Sequence, residues 1–332
     1  MMSLLNVLII RDARPGHYTQ SEGIVKAIRR VAETQVEYLD LYKVSAISWR
    51  LAYACYNRGI ISDKHVLKWL YPGLRRLERS PDLVISAGGQ TLLLNAVLAK
   101  VHDAENIFSG SLRNLGPDLF SAVLIPYKEF SGTPPYIYCL KPCAVDPDEV
   151  PPVEAPFDHC FLIGGPSGTH DYTPDDWAKM VQLAELASER FRVGVFTSRR
   201  TPQDIVTRFK QKQGETLRVY SAADIDSAGV VDFCKNARLV FVSEDSNSMI
   251  TEAACCQKPV CVLKPATNTM SSKEIAYLEG LRDNKWLFNQ TLSEDFSLEH
   301  LLEQMQAICP MAENHLELLA GKLRKQLKTL QK

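Results

Sequence analysis

The chain has 332 residues, 45% hydrophobic and 23% charged, with a net charge of −1. That length exceeds one comfortable core and suits two domains, and the composition is that of a soluble globular protein. A charge this small excludes a global attraction to nucleic acid or anionic membrane, and no run approaches the roughly 18–20 apolar residues of a membrane span.

Residues 1–10 are apolar but carry no charged leader region and run straight into Arg11-Asp12, which reads as a first strand over 5–10 rather than a secretory signal. Helical spacing of apolar positions follows over 20–33, then a strand over 36–41 and helices over 47–57 and 65–78. A third strand, 82–87, ends in Gly88-Gly89, followed by a helix over 92–101 and short strands at 107–108 and 122–125. Strands alternating with helices imply parallel βαβ units. Five prolines between 142 and 156 interrupt the pattern and read as an interdomain linker.

The alternation then restarts. A strand over 160–163 enters Gly164-Gly165, and a helix over 174–189 has Thr173 as its cap and Pro174 at its first position. A strand over 193–197, a helix over 204–211, a strand over 217–220 and a helix over 229–235 lead to the apolar run 239–242. Two helices, 298–308 and 316–330, finish the chain as a pair. The expected division is 1–145, a linker at 146–156, 157–310, and a terminal helix at 311–332. Nine cysteines without a CxxC pair or zinc-finger spacing read as free thiols in a reducing cytosol.

Ligands of parallel sheets collect at the carboxyl ends of strands, and four loops there are chemically loaded. The first runs from Asp12 to Gln20 and offers Asp12 and His17 as candidate general bases. Arg14, Gly16 and Gln20 are its anion or acceptor contacts, and its bland reading is an ordinary polar connector. The second holds Gly164, Gly165 and Ser167; it is neither GxGxxG nor a P-loop, and a glycine loop alone is weak evidence. The third holds Ser198, Arg199 and Arg200, whose guanidinium pair suits a diphosphate or is simply solvated. The fourth is Ser243-Glu244-Asp245-Ser246-Asn247-Ser248-Met249-Ile250-Thr251-Glu252. There a helix start favours phosphate oxygens and Glu252 is placed for a ribose, unless Ser246 merely caps the helix and Glu252 is merely solvated.

Two further features have competing readings. Trp49, Tyr53, Tyr56, Trp69 and Tyr71 lie among Arg50, Arg58, Lys64, Lys68, Arg75 and Arg76, which fits either a membrane-facing surface or core aromatics with solvated cations. The basic run 322–328 reads as a solvated helix face, with no signature of nucleic-acid binding beside it. Asp224-Ile225-Asp226 fits a DxD metal motif formally but lies in a polar loop and is discounted.

The stretches Asp12–Gln20, Gly164-Gly165-Pro166-Ser167, Thr197-Ser198-Arg199-Arg200-Thr201-Pro202 and Ser246–Ala253 resemble the family named after the plant mitochondrial-fission protein ELM1, which is widespread in bacteria. That family is similar to the GT-B glycosyltransferases, with an element order like that of the MurG-type enzymes. The resemblance implies an α/β fold of two Rossmann-like doubly wound parallel sheets facing a cleft. It places Ser246, Asn247, Ser248 and Met249 on a donor diphosphate, Glu252 on its ribose, and the glycine loop and Arg199 on its phosphates. Tyr220 would flank the base, and His17 would face the acceptor. This chain departs from many relatives in having Gln257 before Lys258-Pro259-Val260, and the glycine-rich first loop of the MurG group is only partly present.

The expectation is therefore a cytoplasmic, metal-independent glycosyltransferase without a bound cofactor. A nucleotide-sugar is its donor, a cell-envelope glycan or lipid-linked molecule its acceptor, and the inner membrane a site of peripheral contact. The rival readings are a non-catalytic scaffold and a sugar-nucleotide epimerase of the same architecture.

Overall fold

A computed structural model describes residues 4–41 and 45–331. The chain divides into two compact units, Met1–Ala144 with His315–Lys332, and Val145–Asn314. The first unit is built on β1 (Leu5–Arg11), α1 (Pro15–Ile28), β2 (Thr34–Asp40), α2 (Ala46–Asn57), α3 (Asp63–His65), β3 (Leu83–Ala87), α4 (Leu92–His102), β4 (Glu105–Ser109), β5 (Ala122–Ile125) and β6 (Tyr136–Tyr138). The strands form one sheet in the order β2-β1-β3-β4-β5-β6, and every pairing in it is parallel. A parallel sheet is covered on both faces, which is why β3 and β5 are buried at every position and read as apolar runs, broken in β3 by Ser86 alone.

The second unit repeats the plan with β7 (His159–Ile163), α5 (Pro174–Ser188), β8 (Val193–Thr197), α6 (Gln203–Gln211), β9 (Leu217–Tyr220), α7 (Ser227–Asn236), β10 (Leu239–Ser243), α8 (Asn247–Cys255), β11 (Val260–Lys264), α9 (Ser272–Asp283), β12 (Leu287–Thr291) and α10 (Leu298–Gln306). Its all-parallel order is β12-β11-β10-β7-β8-β9. In each sheet the winding reverses beside the first strand, between β1 and β3 and between β7 and β10, and such reversals are where ligands of doubly wound folds bind.

Three differences from the sequence reading have physical causes. The helix read over 65–78 is the single turn α3 and a π-turn, Val66–Leu70, because Pro72 and Gly73, at φ +83°, cannot continue it. The two last helices are not a pair. α10 packs on α5 in the second unit, while α11 (His315–Gln326) returns to α1 in the first and buries Leu316, Leu319 and Leu323 beside Ile24 and Ile28. The proline-rich segment is also fastened down. Buried Lys235 donates from Nζ to the carbonyls of Asp146 at 3.3 Å and Glu149 at 2.5 Å, and Asn236 donates to Pro151 O at 2.9 Å. Among the described residues no helix is long and apolar enough to cross a membrane.

Candidate functional site

In the first unit the chain leaves β1, turns at Asp12 and enters α1 at Pro15, where the missing N–H of proline costs nothing. Asp12 Oδ1 accepts from the N–H of Arg14 at 3.0 Å, and Asp12 Oδ2 lies 2.7 Å from His17 Nδ1. The Asp12 side chain is 3% exposed and that of His17 24%, so the carboxylate is shielded while the ring reaches solvent. Burial pushes the Asp12 carboxyl up, but the hydrogen bonds from His17 and from the Arg14 N–H outweigh it and hold the group below its ordinary value. An ionised Asp12 makes Nδ1 the donor and leaves Nε2 as the basic nitrogen of His17. The ring is backed by Gly88, at φ +84° after β3, where any side chain would collide with it. Arg14 is exposed. Gln20 is buried and spent on structure, donating to Gly16 O at 2.8 Å and accepting from Ser109 Oγ at 2.9 Å.

In the second unit the loops after β7, β8 and β10 are tied to one another. The N–H of Gly164 donates to Ser243 Oγ at 2.7 Å, and the Ser243 hydroxyl donates to Asp245 Oδ1 at 2.7 Å. The Tyr172 hydroxyl donates to the same oxygen at 3.0 Å, and Arg200 Nη2 donates to Asp245 Oδ2 at 2.5 Å. Asp245 is fully buried and Arg200 40% exposed, so the guanidinium has one side on the carboxylate and the other towards solvent. Burial, and then the Asp245 charge, push the Tyr172 phenol far up and keep it a neutral donor. Beside this network His170 Nε2 stands 3.3 Å from Glu244 Oε2, both side chains almost completely buried, and Asn268 donates to the same oxygen at 2.8 Å.

The glycines of the second loop are explained by these neighbours. A side chain at Gly164 would strike the Asp245 carboxylate, and one at Gly165 would strike the Arg200 carbonyl. Ser167 Oγ accepts from the N–H groups of Thr169 at 3.3 Å and His170 at 3.1 Å, and Ser198 Oγ from that of Arg200 at 3.1 Å, so both hydroxyls hold turns. The two arginines read as a pair have different surroundings. Arg200 is locked, whereas Arg199 is exposed and makes no ion pair among the described residues.

Ser246 is the N-cap of α8, accepting from the N–H of Met249 at 3.4 Å; Asn247 and Ser248 open the helix beside it, and its first turn carries no acidic residue. Glu252 is half-buried, one turn further in. Tyr220 ends β9 with its ring stacked on Phe196 at 5.4 Å and Phe233 at 5.9 Å, inside an aromatic cluster that includes Phe157. Asp224 accepts from Ser221 in a turn, at 2.7 Å from both its N–H and its hydroxyl, and Asp226 caps α7, so both carboxylates of the formal DxD serve the backbone.

Sequence reasoning gave no role to Asp245, Glu244, Tyr172 or His170. The signal was the acidic pair directly after the apolar strand β10, since two carboxylates cannot follow a buried strand end without dedicated partners.

Two all-parallel sheets of this winding define the GT-B architecture of glycosyltransferases and related epimerases. A UDP-GlcNAc 2-epimerase from Neisseria meningitidis, solved with UDP-GlcNAc bound, is 10% identical over 97% of this chain and 99% of its own, with a TM-score of 0.57. The Escherichia coli heptosyltransferase WaaC, solved with ADP, is 14% identical over 91% and 99%, with a TM-score of 0.52. The chain belongs to the mitochondrial fission ELM1 family, whose model matches residues 147–313. It is also similar to the uncharacterized protein RP120 of Rickettsia prowazekii (strain Madrid E), 23% identical over 90% of this chain and 95% of the relative.

Proposed function

We propose that the protein is a metal-independent glycosyltransferase that moves a sugar from a nucleotide-sugar donor to a cell-envelope glycan or lipid-linked acceptor, in the cytoplasm and peripherally at the inner membrane. The observation that carries this reading is the Asp12–His17 pair, a shielded carboxylate 2.7 Å from a ring nitrogen whose ring reaches solvent at a strand end. His17 Nε2 takes the proton of the acceptor hydroxyl as that oxygen bonds to the anomeric carbon. The bond from that carbon to the phosphate oxygen breaks, and the nucleoside diphosphate leaves with the electron pair. The N-terminus of α8 at Ser246–Met249, with Arg199, Arg200 and the Gly164–Ser167 loop, meets the diphosphate, and Glu252 meets the ribose. Cations and a helix dipole do the neutralising that a metal does elsewhere, and Asp224 and Asp226 are already engaged. Tyr220 borders the base through its edge, since its face lies on Phe196.

The test is a panel of UDP-, GDP-, ADP-, CMP- and dTDP-sugars in thermal shift, with wild type beside Glu252→Ala, Arg199→Ala and His17→Ala. A donor at 100 times its Kd stabilises by about 2.7 kcal/mol. The expected outcome is one nucleotide class that shifts wild type and His17→Ala but neither of the other variants. A shift without turnover in any acceptor assay moves the reading to a ligand-regulated scaffold. Free sugar or a new sugar nucleotide formed without acceptor moves it to an epimerase.

A further inference from the structure

The four most exposed large hydrophobic side chains of the described residues are Ile47 at 80%, Ile60 at 66%, and Leu51 and Trp69 at 65% each. All four fall within 23 positions of the first unit. Ile47 and Leu51 are four residues apart on α2 and so share one face of that helix. The opposite face holds the helix down, with Trp49, Ala52 and Tyr56 packed against the core. The π-turn carrying Trp69 packs on α2, and Trp69 and Ser48 line the same open cavity of about 810 Å³.

Charge accompanies this apolar face. Residues 45–79 hold seven Lys or Arg and two Asp or Glu, a net of +5 in a chain whose total is −1. All seven cations are exposed. Both acids are already matched, Asp63 by Lys100 at 3.1 Å and Glu78 by Arg75 at 3.5 Å. Arg50, Lys64, Lys68 and Arg76 make no ion pair among the described residues.

We infer that the outer face of α2, with Ile60 and the π-turn at Trp69, docks on an anionic lipid surface. Ile47, Leu51 and Trp69 enter the headgroup boundary while Arg50, Lys64 and Lys68 meet lipid phosphates. Charge decides the occupant. A second copy would oppose Arg50, Lys64 and Lys68 to the same cations across a two-fold axis, and like charges facing each other repel. A lipid surface offers both an apolar layer and negative charge in one plane. The assignment deepens the reading of a lipid-linked acceptor, yet its test needs no nucleotide and no turnover, so either can fail alone.

The experiment is co-sedimentation of the full chain with vesicles of phosphatidylglycerol and phosphatidylcholine, and with vesicles of phosphatidylcholine alone, at low salt. Wild type is expected to sediment with the anionic vesicles and to be released by salt. Lys64→Ala with Lys68→Ala lowers the partition constant about 25-fold. Ile47→Ser with Leu51→Ser lowers it about a hundredfold. Val150→Ser with Leu186→Ser, exposed apolar positions of the other unit, leaves it unchanged. Absence of wild-type sedimentation, or equal losses in the control pair, overturns the inference. So does a concentration-dependent dimer that Ile47→Ser with Leu51→Ser abolishes in a protein that ignores vesicles; that result would assign the face to self-association.

Discussion

Asp12 and Asp245 are both shielded carboxylates just past a parallel strand, but they are held differently. Asp12 has two local partners, His17 and the Arg14 N–H, both within five residues of it, and its imidazole reaches solvent. The Asp245 side chain is fully buried and takes hydrogen bonds from Ser243, at the end of the strand β10 just before it, and from Tyr172 and Arg200, in the loops after β7 and β8. The first arrangement leaves a titratable nitrogen free to react, as a proton-transfer site requires. The second uses up its acceptors and returns rigidity, as a platform for a charged ligand requires. Removing a group from the first should therefore cost activity, and removing one from the second should cost stability.

The largest expected effect falls on the first site. His17→Ala should lower turnover about 10²–10⁴-fold while leaving donor affinity nearly unchanged and costing about 1 kcal/mol of unfolding free energy, since shielded Asp12 keeps only the Arg14 N–H. A large loss of stability instead would make the dyad structural and erase the contrast. Next, Asp245→Ala should destabilise the second unit by about 3 kcal/mol, because the buried Ser243 and Tyr172 hydroxyls lose their acceptor; this allows for the part of the Arg200 charge that solvent recovers. Hydrogen exchange should show that loss in the amides of β7 and β10 and not in those of β1 or β3.

A loss of about the same size is expected with acid. His159, buried at the start of β7, has its imidazole pushed down to about 4 by burial, with nearby Asp158 opposing and Arg238 adding to the shift. Between the ordinary His pKa of 6.5 and about 4 the unfolded chain binds the proton and the fold does not. Stability is therefore lost as pH falls through that window, by about 3 kcal/mol in all. His159→Gln should flatten this limb in pH-dependent exchange of the second unit. Asp12 works lower down. Its depressed pKa contributes stability that is present above the ordinary carboxylate range and lost only as pH falls through the folded value, so Asp12→Asn should change the profile only below about pH 4. The smallest effect is Tyr172→Phe, about 1 kcal/mol, since Asp245 keeps Ser243 and Arg200. No loss at all would show that the phenol is a spectator to the network.

How far this was legible differs between the sites. The Asp12–His17 pair lies within six consecutive residues, from the end of β1 to the first turn of α1, so sequence alone brought its members together. The second site was legible as three loaded loops but not as a network. Arg199 and Arg200 are indistinguishable in sequence, and only the fold gives Arg200 to Asp245 and leaves Arg199 exposed. Gly164 and Gly165 were read as making room for phosphate, whereas neighbouring Asp245 and the Arg200 backbone already demand glycine there. The exposed face at Ile47, Leu51 and Trp69 was ambiguous for a related reason. Aromatic and basic residues at helical spacing do not say which side meets the core.

What sequence determined by itself was local and periodic. Apolar runs of strand length between helical patterns dictate two parallel α/β units, since buried strands read as nearly unbroken apolar segments, and caps such as Thr173 and Ser246 mark helix starts through contacts three residues away. Tertiary structure alone decided the return of α11 to the first unit and the convergence of Ser243, Tyr172 and Arg200 on Asp245. Apart from Ser243, a near neighbour of Asp245, those contacts join residues 45 or more positions apart or, for α11, about 290, and no local propensity encodes which distant partner a buried charge or an apolar face will find.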